Sequence, residues 1–122
     1  MSQSIKDVEK TWPAAADLST KRYFIVKQNS SKQVALGAAA TDSLIGVLQN
    51  KPKQGEGALV RFGGTSKVVA SAAISVGARV TSTAAGKAVA TTTTNDTVIG
   101  IALEAAGADG DIIEIQLVNF RY

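Results

Sequence analysis

From Leu18 to the C-terminus, short runs of apolar or β-branched residues alternate with clusters of Gly, Asn, Ser and Lys. Runs of about four to eight such residues, bounded by turn residues, are typical of β-strands. The pattern predicts strands at Tyr23–Gln28, Gln33–Leu36, Ile45–Leu48, Ala58–Phe62, Lys67–Val69, Arg79–Ser82, Ala88–Thr91, Ile99–Ala102 and Ile112–Val118. The alanine-rich segment Ala70–Ser75 is also compatible with a short helical turn. We therefore predict an all-β fold, either a compact β-barrel or a small sandwich of short strands.

The β-rich part of the chain contains an internal two-fold repeat. The segment Asp42–Val47 (DSLIGV) recurs as Asp96–Ile101 (DTVIGI), and the strands on either side match in the same order. The glycine after isoleucine in each copy predicts a β-bulge or a close backbone approach. The repeat halves span about residues 21–66 and 75–122, and we expect them to close on one another about a pseudo-twofold axis, so that neither exposes a long edge strand.

Residues 1–17 precede this pattern, and we predict that they form an N-terminal arm on a single β domain over residues 18–122. Ile5, Val8 and Trp12 have the spacing of one helical stripe, but Pro13 would end any helix after two turns. One interpretation is a flexible tail that carries a few apolar residues. The other is an arm that becomes ordered in a neighbour's groove. We favour the arm, because it holds the chain's single tryptophan, a residue type enriched in interface hot spots.

The C-terminus ends in two aromatic residues, Phe120 and Tyr122, on either side of Arg121. One interpretation is that Phe120 closes one end of the core. The other is that both rings dock on a neighbouring subunit. Together with the arm, this gives a predicted set of residues for the interface with another subunit: Ile5, Val8, Trp12, Pro13, Phe120 and Tyr122.

The amino-acid composition argues against a catalytic or metal-binding role. The chain has no histidine and no cysteine, so it lacks the commonest general base, thiolate metal ligands and disulfides. The carboxylates of Asp109, Asp111 and Glu114 cluster, but Asp109-Gly110-Asp111 is typical of a turn, and Glu114 alternates outward along a strand. We therefore predict that the protein is not an enzyme, and we expect no catalytic, cofactor-binding or metal site.

The net charge of +3 suggests no single partner class. The lysines and arginines are scattered, and aromatic residues that could stack on bases are not interleaved with them, so we expect no direct binding to nucleic acid. No apolar stretch approaches the length of a membrane span, so we expect no membrane partner.

The order of four motifs resembles the capsid cement (head decoration) proteins of tailed bacteriophages. The motifs are Leu44–Val47, Ser75–Val80, Val98–Leu103 and Gly110–Ile115, and the resemblance covers about Asp17 to Leu117. It implies a structural protein of the virion's outer capsid surface that binds the assembled head at junctions between major capsid subunits and stabilises it. It also implies that the protein acts as a homotrimer, with the major capsid protein and itself as partners.

Two other functions stay open at this stage. One is a β-module of a phage tail, baseplate or fibre. The other is a surface-binding or carbohydrate-binding adhesion domain, although sugar sites usually stack their ligand on exposed aromatic rings, and the single tryptophan lies in the predicted arm.

Overall fold

The computed structural model describes residues 8–122, and in that part of the chain every regular element is a β-strand. The strands are β1 Glu9–Pro13, β2 Ile25–Gln28, β3 Val34–Leu36, β4 Leu44–Leu48, β5 Gly57–Arg61, β6 Thr65–Val69, β7 Arg79–Ser82, β8 Ala88–Ala90, β9 Thr97–Ala102 and β10 Ile112–Arg121. Nine of them match the predicted strands to within a few residues at each end. No helix in residues 8–122 is long and apolar enough to cross a membrane.

The strands form two antiparallel five-stranded sheets that pack as a sandwich rather than as one closed barrel. The first sheet has the order β1-β5-β4-β2-β3 and the second has the order β6-β10-β9-β7-β8. The two orders are the same when five is added to each strand number, so that β6 in the second sheet takes the place of β1 in the first, and β10 takes the place of β5. The register repeats as well: Val26 pairs with Leu36 as Val80 pairs with Ala90. The internal repeat predicted from the sequence is thus a repeat of whole sheets.

Strand β1 was not predicted from the sequence pattern. Its pairs with β5 include Trp12 with Ala58 and Pro13 with Gly57, just as β6 pairs with β10 in the second sheet. The repeat therefore begins at Glu9, within the segment assigned to the arm, and the chain from Glu9 to Pro13 is extended rather than helical. The alternation was hidden because β1 is an edge strand with several polar residues, and an edge position tolerates Pro13.

Each sheet curls until its two edges meet. Isolated parallel bridges join Ala14 to Val34 in the first half and Ala70 to Ala88 in the second. The inner face of each sheet is thereby buried at equivalent positions. In the first half these are Ala14, Leu18, Val26, Val34, Leu48, Ala58 and Val60, and in the second they are Ala70, Ile74, Val80, Ala88, Ala102, Ile113 and Ile115.

The glycine of each Ile-Gly motif lies where neighbouring strands leave no room for a side chain. A Cβ on Gly46 would lie 2.2 Å from the carbonyl oxygen of Arg61, and one on Gly100 would lie 2.6 Å from Cδ1 of Ile115. The register between β2 and β4 also shifts beside Gly46, between Val26 and Lys27. Both predicted reasons for the glycine, a bulge and a close approach, are therefore found at the first motif.

The halves pack with the outer face of the first sheet against the inner cluster of the second. On the first side the buried residues are Ile25, Leu44 and Val47, and on the second they include Val68, Ile99 and Leu117. The backbone N–H of Ile25 donates to the carbonyl of Gly86 at 2.7 Å, and that of Thr97 donates to the carbonyl of Ala40 at 2.7 Å.

These contacts are not reciprocal, and so the predicted pseudo-twofold axis was wrong. In the repeat, Arg79 corresponds to Ile25 and Lys32 corresponds to Gly86. A twofold axis would therefore add a backbone hydrogen bond from the N–H of Arg79 to the carbonyl of Lys32, and residues 8–122 contain no such bond. The two halves instead follow one another head to tail, with outer face on inner face. The reason lies in the outer faces themselves, because Ile25 in the first sheet corresponds to the cation Arg79 in the second.

Candidate functional site

Three open grooves join along one side of the described molecule. The first, of about 320 Å³, is lined by Trp12, Ile45, Phe62 and Asn119. The second, of about 350 Å³, shares Ile45 and Asn119 with the first and also includes Phe120. The third, of about 200 Å³, is lined by Arg79, Phe120 and Tyr122. Because neighbouring grooves share residues, they form one continuous surface. We call it the aromatic face and define it by Trp12, Ile45, Phe62, Asn119, Phe120 and Tyr122.

At one end of the aromatic face, the pairing of β1 with β5 brings Trp12 and Phe62 together. Trp12 lies opposite the small residue Ala58, and its ring centroid lies 6.5 Å from that of Phe62 at an interplanar angle of 50°. The carbonyl of Val8 accepts a 2.8 Å hydrogen bond from the N–H of Phe62. The Nζ of Lys10 lies 5.5 Å from the centroid of the Trp12 ring, within cation–π range. The two rings are therefore held by backbone pairing and are not on a loose tail.

At the other end, the last residues of β10 place two aromatic side chains. The register of β10 shifts between Leu117 and Phe120, after which Phe120 pairs with Val98. The N–H of Tyr122 donates to the carbonyl of Asp96 at 2.8 Å, which fixes the chain end. The side chains of Phe120 and Tyr122 are 41% and 37% exposed. Phe120 is thus not buried in the core, and of the two interpretations of the C-terminus this exposure favours the docking surface.

The charged side chains that line the three grooves are all cationic. Arg79 and Arg121 belong to the lining, and no Asp or Glu among residues 8–122 does. The guanidinium carbon of Arg79 lies 5.2 Å from the ring centroid of Tyr122, and Nη1 of Arg121 donates to the carbonyl of Asn95 at 3.0 Å. The face can therefore bind apolar and aromatic side chains, and its rim favours carboxylates or carbonyl oxygens.

The clustered carboxylates of Asp109, Asp111 and Glu114 have structural partners or face outward. Oδ2 of Asp111 accepts hydrogen bonds from the N–H groups of Gly107 and Ala108, at 2.8 and 3.1 Å. Asp109 pairs with Lys87 at 2.9 Å, and Glu114 points outward between buried isoleucines. Within residues 8–122 no group of three His, Cys, Asp or Glu side chains is placed to hold a metal ion. This cluster thus has the structural role predicted for a turn.

Three of the six predicted interface residues, Trp12, Phe120 and Tyr122, lie on the aromatic face. Val8 is 44% exposed, and its side chain lies beside Gly63, next to Phe62. Pro13 is exposed at the end of β1 and lines none of the grooves, and Ile5 lies outside the described residues. Ile45 and Phe62 were missed because they are the counterparts of Ile99 and Leu117, which are buried. For Phe62, its position at the end of the first repeat unit was the available signal.

A sequence model of the phage cement proteins matches residues 6–117. The chain belongs to the phage cement protein family. It is therefore a structural, non-enzymatic component of the bacteriophage head, located at the capsid surface. The cement fold is found in a solved structure described as the head fiber gp8.5 N base of bacteriophage phi29, with a TM-score of 0.68 and 21% identity. That likeness covers 94% of this chain and 97% of the other. No curated protein sequence matches the chain.

Proposed function

We propose that this cement protein binds the outer surface of the assembled head at junctions between major capsid subunits, as a homotrimer, and stabilises the head. Family membership supports the capsid as the partner. The observation that carries the finer proposal is the aromatic face, where the rings of Phe120 and Tyr122 are exposed and those of Trp12 and Phe62 are half-buried on a rigid β scaffold. Contiguous exposed apolar surface rimmed by polar groups is typical of protein–protein contact.

The mechanism is stabilisation by mass action, without a reaction. A protein that binds the assembled lattice but not its dissociated subunits stabilises the lattice by RT ln(1 + [L]/Kd) at each site. A symmetric shell multiplies that contribution by the number of occupied sites. The predicted interface residues in this proposal are Ile5, Val8, Trp12, Pro13, Phe120 and Tyr122.

The first experiment adds the purified protein to phage heads that lack it and measures co-sedimentation and the temperature at which the heads rupture. We expect saturable binding and a rise in rupture temperature that increases with occupancy. Heads that bind no protein, or that bind it and rupture at an unchanged temperature, would contradict the proposal.

The second experiment locates the contact. We expect Phe120→Ala and Tyr122→Ala to weaken head binding by about tenfold or more each, since truncation of a hot-spot ring removes about 2 kcal/mol or more and about 1.4 kcal/mol corresponds to tenfold. Ile112→Ala is the matched control, because Ile112 is 54% exposed and lines none of the grooves. Removal of residues 1–7 leaves β1 in place and tests Ile5. Equal affinity of all these variants would exclude Ile5, Phe120 and Tyr122 from the contact.

A fibre module is the second candidate, because the structural likeness is to the base of a head fiber. The two functions differ in the effect that binding has on the head. A cement protein raises the rupture temperature of the head, whereas a fibre base anchors a distal part and leaves that temperature unchanged. The same rupture measurement therefore separates them.

A further inference from the structure

The two halves pack head to tail, so that each junction joins the outer face of one sheet to one end of the inner face of another. We call that end of a sheet its inner-face end. The described part of the molecule therefore has one inner-face end and one outer face that are not part of such a junction. Inside the chain, the outer face of the first sheet covers the inner-face end of the second. Within residues 8–122, the inner-face end of the first sheet has no such cover, and neither has the part of the second sheet's outer face at Arg79 and Ile101. The rest of that outer face is closed, because Val98 and Thr81 are buried and Oγ1 of Thr81 donates to the carbonyl of Ala40.

The repeat identifies the uncovered inner-face end residue by residue. Val68, Ile99 and Leu117 of the second half are at most 7% exposed, in the cluster that includes Ile25 and Val47 of the first half. The matching residues of the first half are Trp12, Ile45 and Phe62. Trp12 pairs with Ala58 as Val68 pairs with Ile113, which fixes the first of these matches. All three line the first groove of the aromatic face.

The uncovered outer face is identified by the same register. Ile25 pairs with Val47 in the first sheet as Arg79 pairs with Ile101 in the second. Arg79 is exposed, Ile101 is half-buried, and Arg79 lies over the ring of Tyr122. This face thus presents a cation and an aliphatic side chain beside exposed Phe120 and Tyr122.

We propose that the Trp12–Ile45–Phe62 groove is the docking site for a second copy of this chain, which contributes the outer face of its second sheet, centred on Arg79 and Ile101. The contact repeats between molecules the packing that joins the two halves within one molecule. This deepens the proposed function, and rests on it, by naming the occupant of one end of the aromatic face.

The chemistry of the two surfaces suits this contact. The Arg79 guanidinium can stack on the ring of Phe62, whereas the Trp12 ring already has Nζ of Lys10 at 5.5 Å from its centroid. Ile101 supplies the apolar area that Val47 supplies inside the chain. Among residues 8–122, no carboxylate that would pull Arg79 away from the rings lines the groove. Because the two surfaces differ, the contact is heterologous. Heterologous contacts form rings such as trimers when the rotation between copies closes and open filaments when it does not, whereas an isologous contact stops at a dimer.

The first test uses Trp12 as its own probe, since it is the single tryptophan. We expect its emission to shift to shorter wavelength, and the sedimentation coefficient to rise, as the concentration increases from micromolar to millimolar. Arg79→Glu and Phe62→Ser should each weaken association at least about tenfold, with Ile112→Ala unchanged. Circular dichroism and urea midpoints establish that each variant is folded. A protein that is monomeric throughout this range, with constant emission, would overturn the proposal.

The second test determines which surfaces of the two copies meet. Because the chain has no cysteine, only the introduced cysteines can form disulfides. We would mix the single-cysteine variants Arg79→Cys and Phe62→Cys under mild oxidation. The proposal predicts a mixed disulfide well above either like-with-like product and above the control pair of Ile112→Cys with Phe62→Cys. Excess Arg79→Cys homodimer would indicate an isologous contact and overturn the proposal.

Heads separate this inference from the proposed function. If Trp12 emission is constant with concentration and shifts only when heads lacking the protein are added, the groove takes a capsid subunit. The self-association would then be wrong, while head binding and the rise in rupture temperature would stand.

Discussion

The two halves of this protein have one fold and two sets of surfaces. Their strand orders, inner-face positions and turn hydrogen bonds coincide. For example, the N–H of Gly55 donates to the carbonyl of Ala14, and the N–H of Gly110 donates to the carbonyl of Ala70.

The two halves differ in the residues at which one half covers the other. There the first half has Ile25 on its outer face and Trp12 and Phe62 at its inner-face end, and the second has Arg79 and the smaller Val68 and Leu117. The comparison separates the residues that make the fold from those that determine its contacts.

The largest effect on the free energy of unfolding should come from the glycine of the Ile-Gly motif, which both halves contain. Gly46→Ala places a Cβ 2.2 Å from a backbone oxygen, and β5 cannot yield without breaking its pairing. We expect a loss of at least about 3 kcal/mol in the free energy of unfolding, measured by urea denaturation. Gly100→Ala should cost less, because its closest contact is Cδ1 of Ile115, the end of a side chain that can rotate. Equal costs would show that the two close approaches are equivalent after all.

The next effect concerns the covered outer face. Ile25→Ala removes a fully buried side chain from the junction of the halves, and we expect a cost of about 2–4 kcal/mol. The counterpart Arg79→Ala should change the free energy of unfolding by less than about 0.5 kcal/mol, since Arg79 is exposed. Urea denaturation of dilute, monomeric protein measures both. A large cost at Arg79 would mean that the second outer face is part of the fold.

A smaller effect belongs to the loop before β4. The N–H of Ala38, with Lys27 and the N–H of Ala39, holds the pKa of the Asp42 carboxyl below its ordinary value of 3.8, against an opposing effect of burial. Because the pKa is lowered in the folded state, this contribution is complete above the ordinary value and is lost as the pH falls through the folded value. We expect Asp42→Asn to cost about 1 kcal/mol at neutral pH and progressively less in acid.

The check on Asp42 is urea denaturation of wild type and Asp42→Asn from neutral pH to about pH 2. Asp109→Asn is the control, because its ion pair with Lys87 is exposed and should contribute little. A cost of Asp42→Asn that is independent of pH would assign the effect to packing rather than to charge.

The smallest effect is a gain. Lys32 has a φ of 59° where the second half has Gly86, whose φ is 77°. A lysine is strained in this left-handed region, and glycine is not. We expect Lys32→Gly to stabilise the protein by about 0.5–1 kcal/mol in urea denaturation. The neighbouring Ser31→Gly is the matched control and should be neutral or slightly destabilising, because glycine raises the entropy of the unfolded chain. A gain in both variants would show that the gain at Lys32 does not come from its backbone conformation.

Much of the fold was predictable because it depends on local sequence patterns. Short apolar or β-branched runs between turn residues predicted nine strands, and the recurrence of Asp42–Val47 as Asp96–Ile101 predicted the repeat. Strand β1 was not predictable, because Glu9, Lys10 and Thr11 have no apolar alternation, and their place is set by pairing with β5. The non-reciprocal packing was also beyond local pattern, since it depends on which outer face carries Ile25 and which carries Arg79.

The candidate site was predictable in part for the same reason. Trp12, Phe120 and Tyr122 stood out because aromatic residues are few and these lie near the chain ends. Phe62 and Ile45 have the alternation of core residues, and alternation shows which face a side chain is on but not whether the end of that face is covered. Coverage depends on where the other half of the chain packs.

The link between the halves is Phe62-Gly63-Gly64, between the last residue of β5 and the first of β6. So short a tether gives the halves a very high effective concentration for each other, and their interface therefore needs little intrinsic affinity. Valine and leucine side chains suffice there. A contact between separate molecules has no tether and must supply its affinity from the side chains themselves. That requirement gives a physical reason why an alanine-rich protein keeps the half-buried rings of Trp12 and Phe62 and the exposed rings of Phe120 and Tyr122 at its surface.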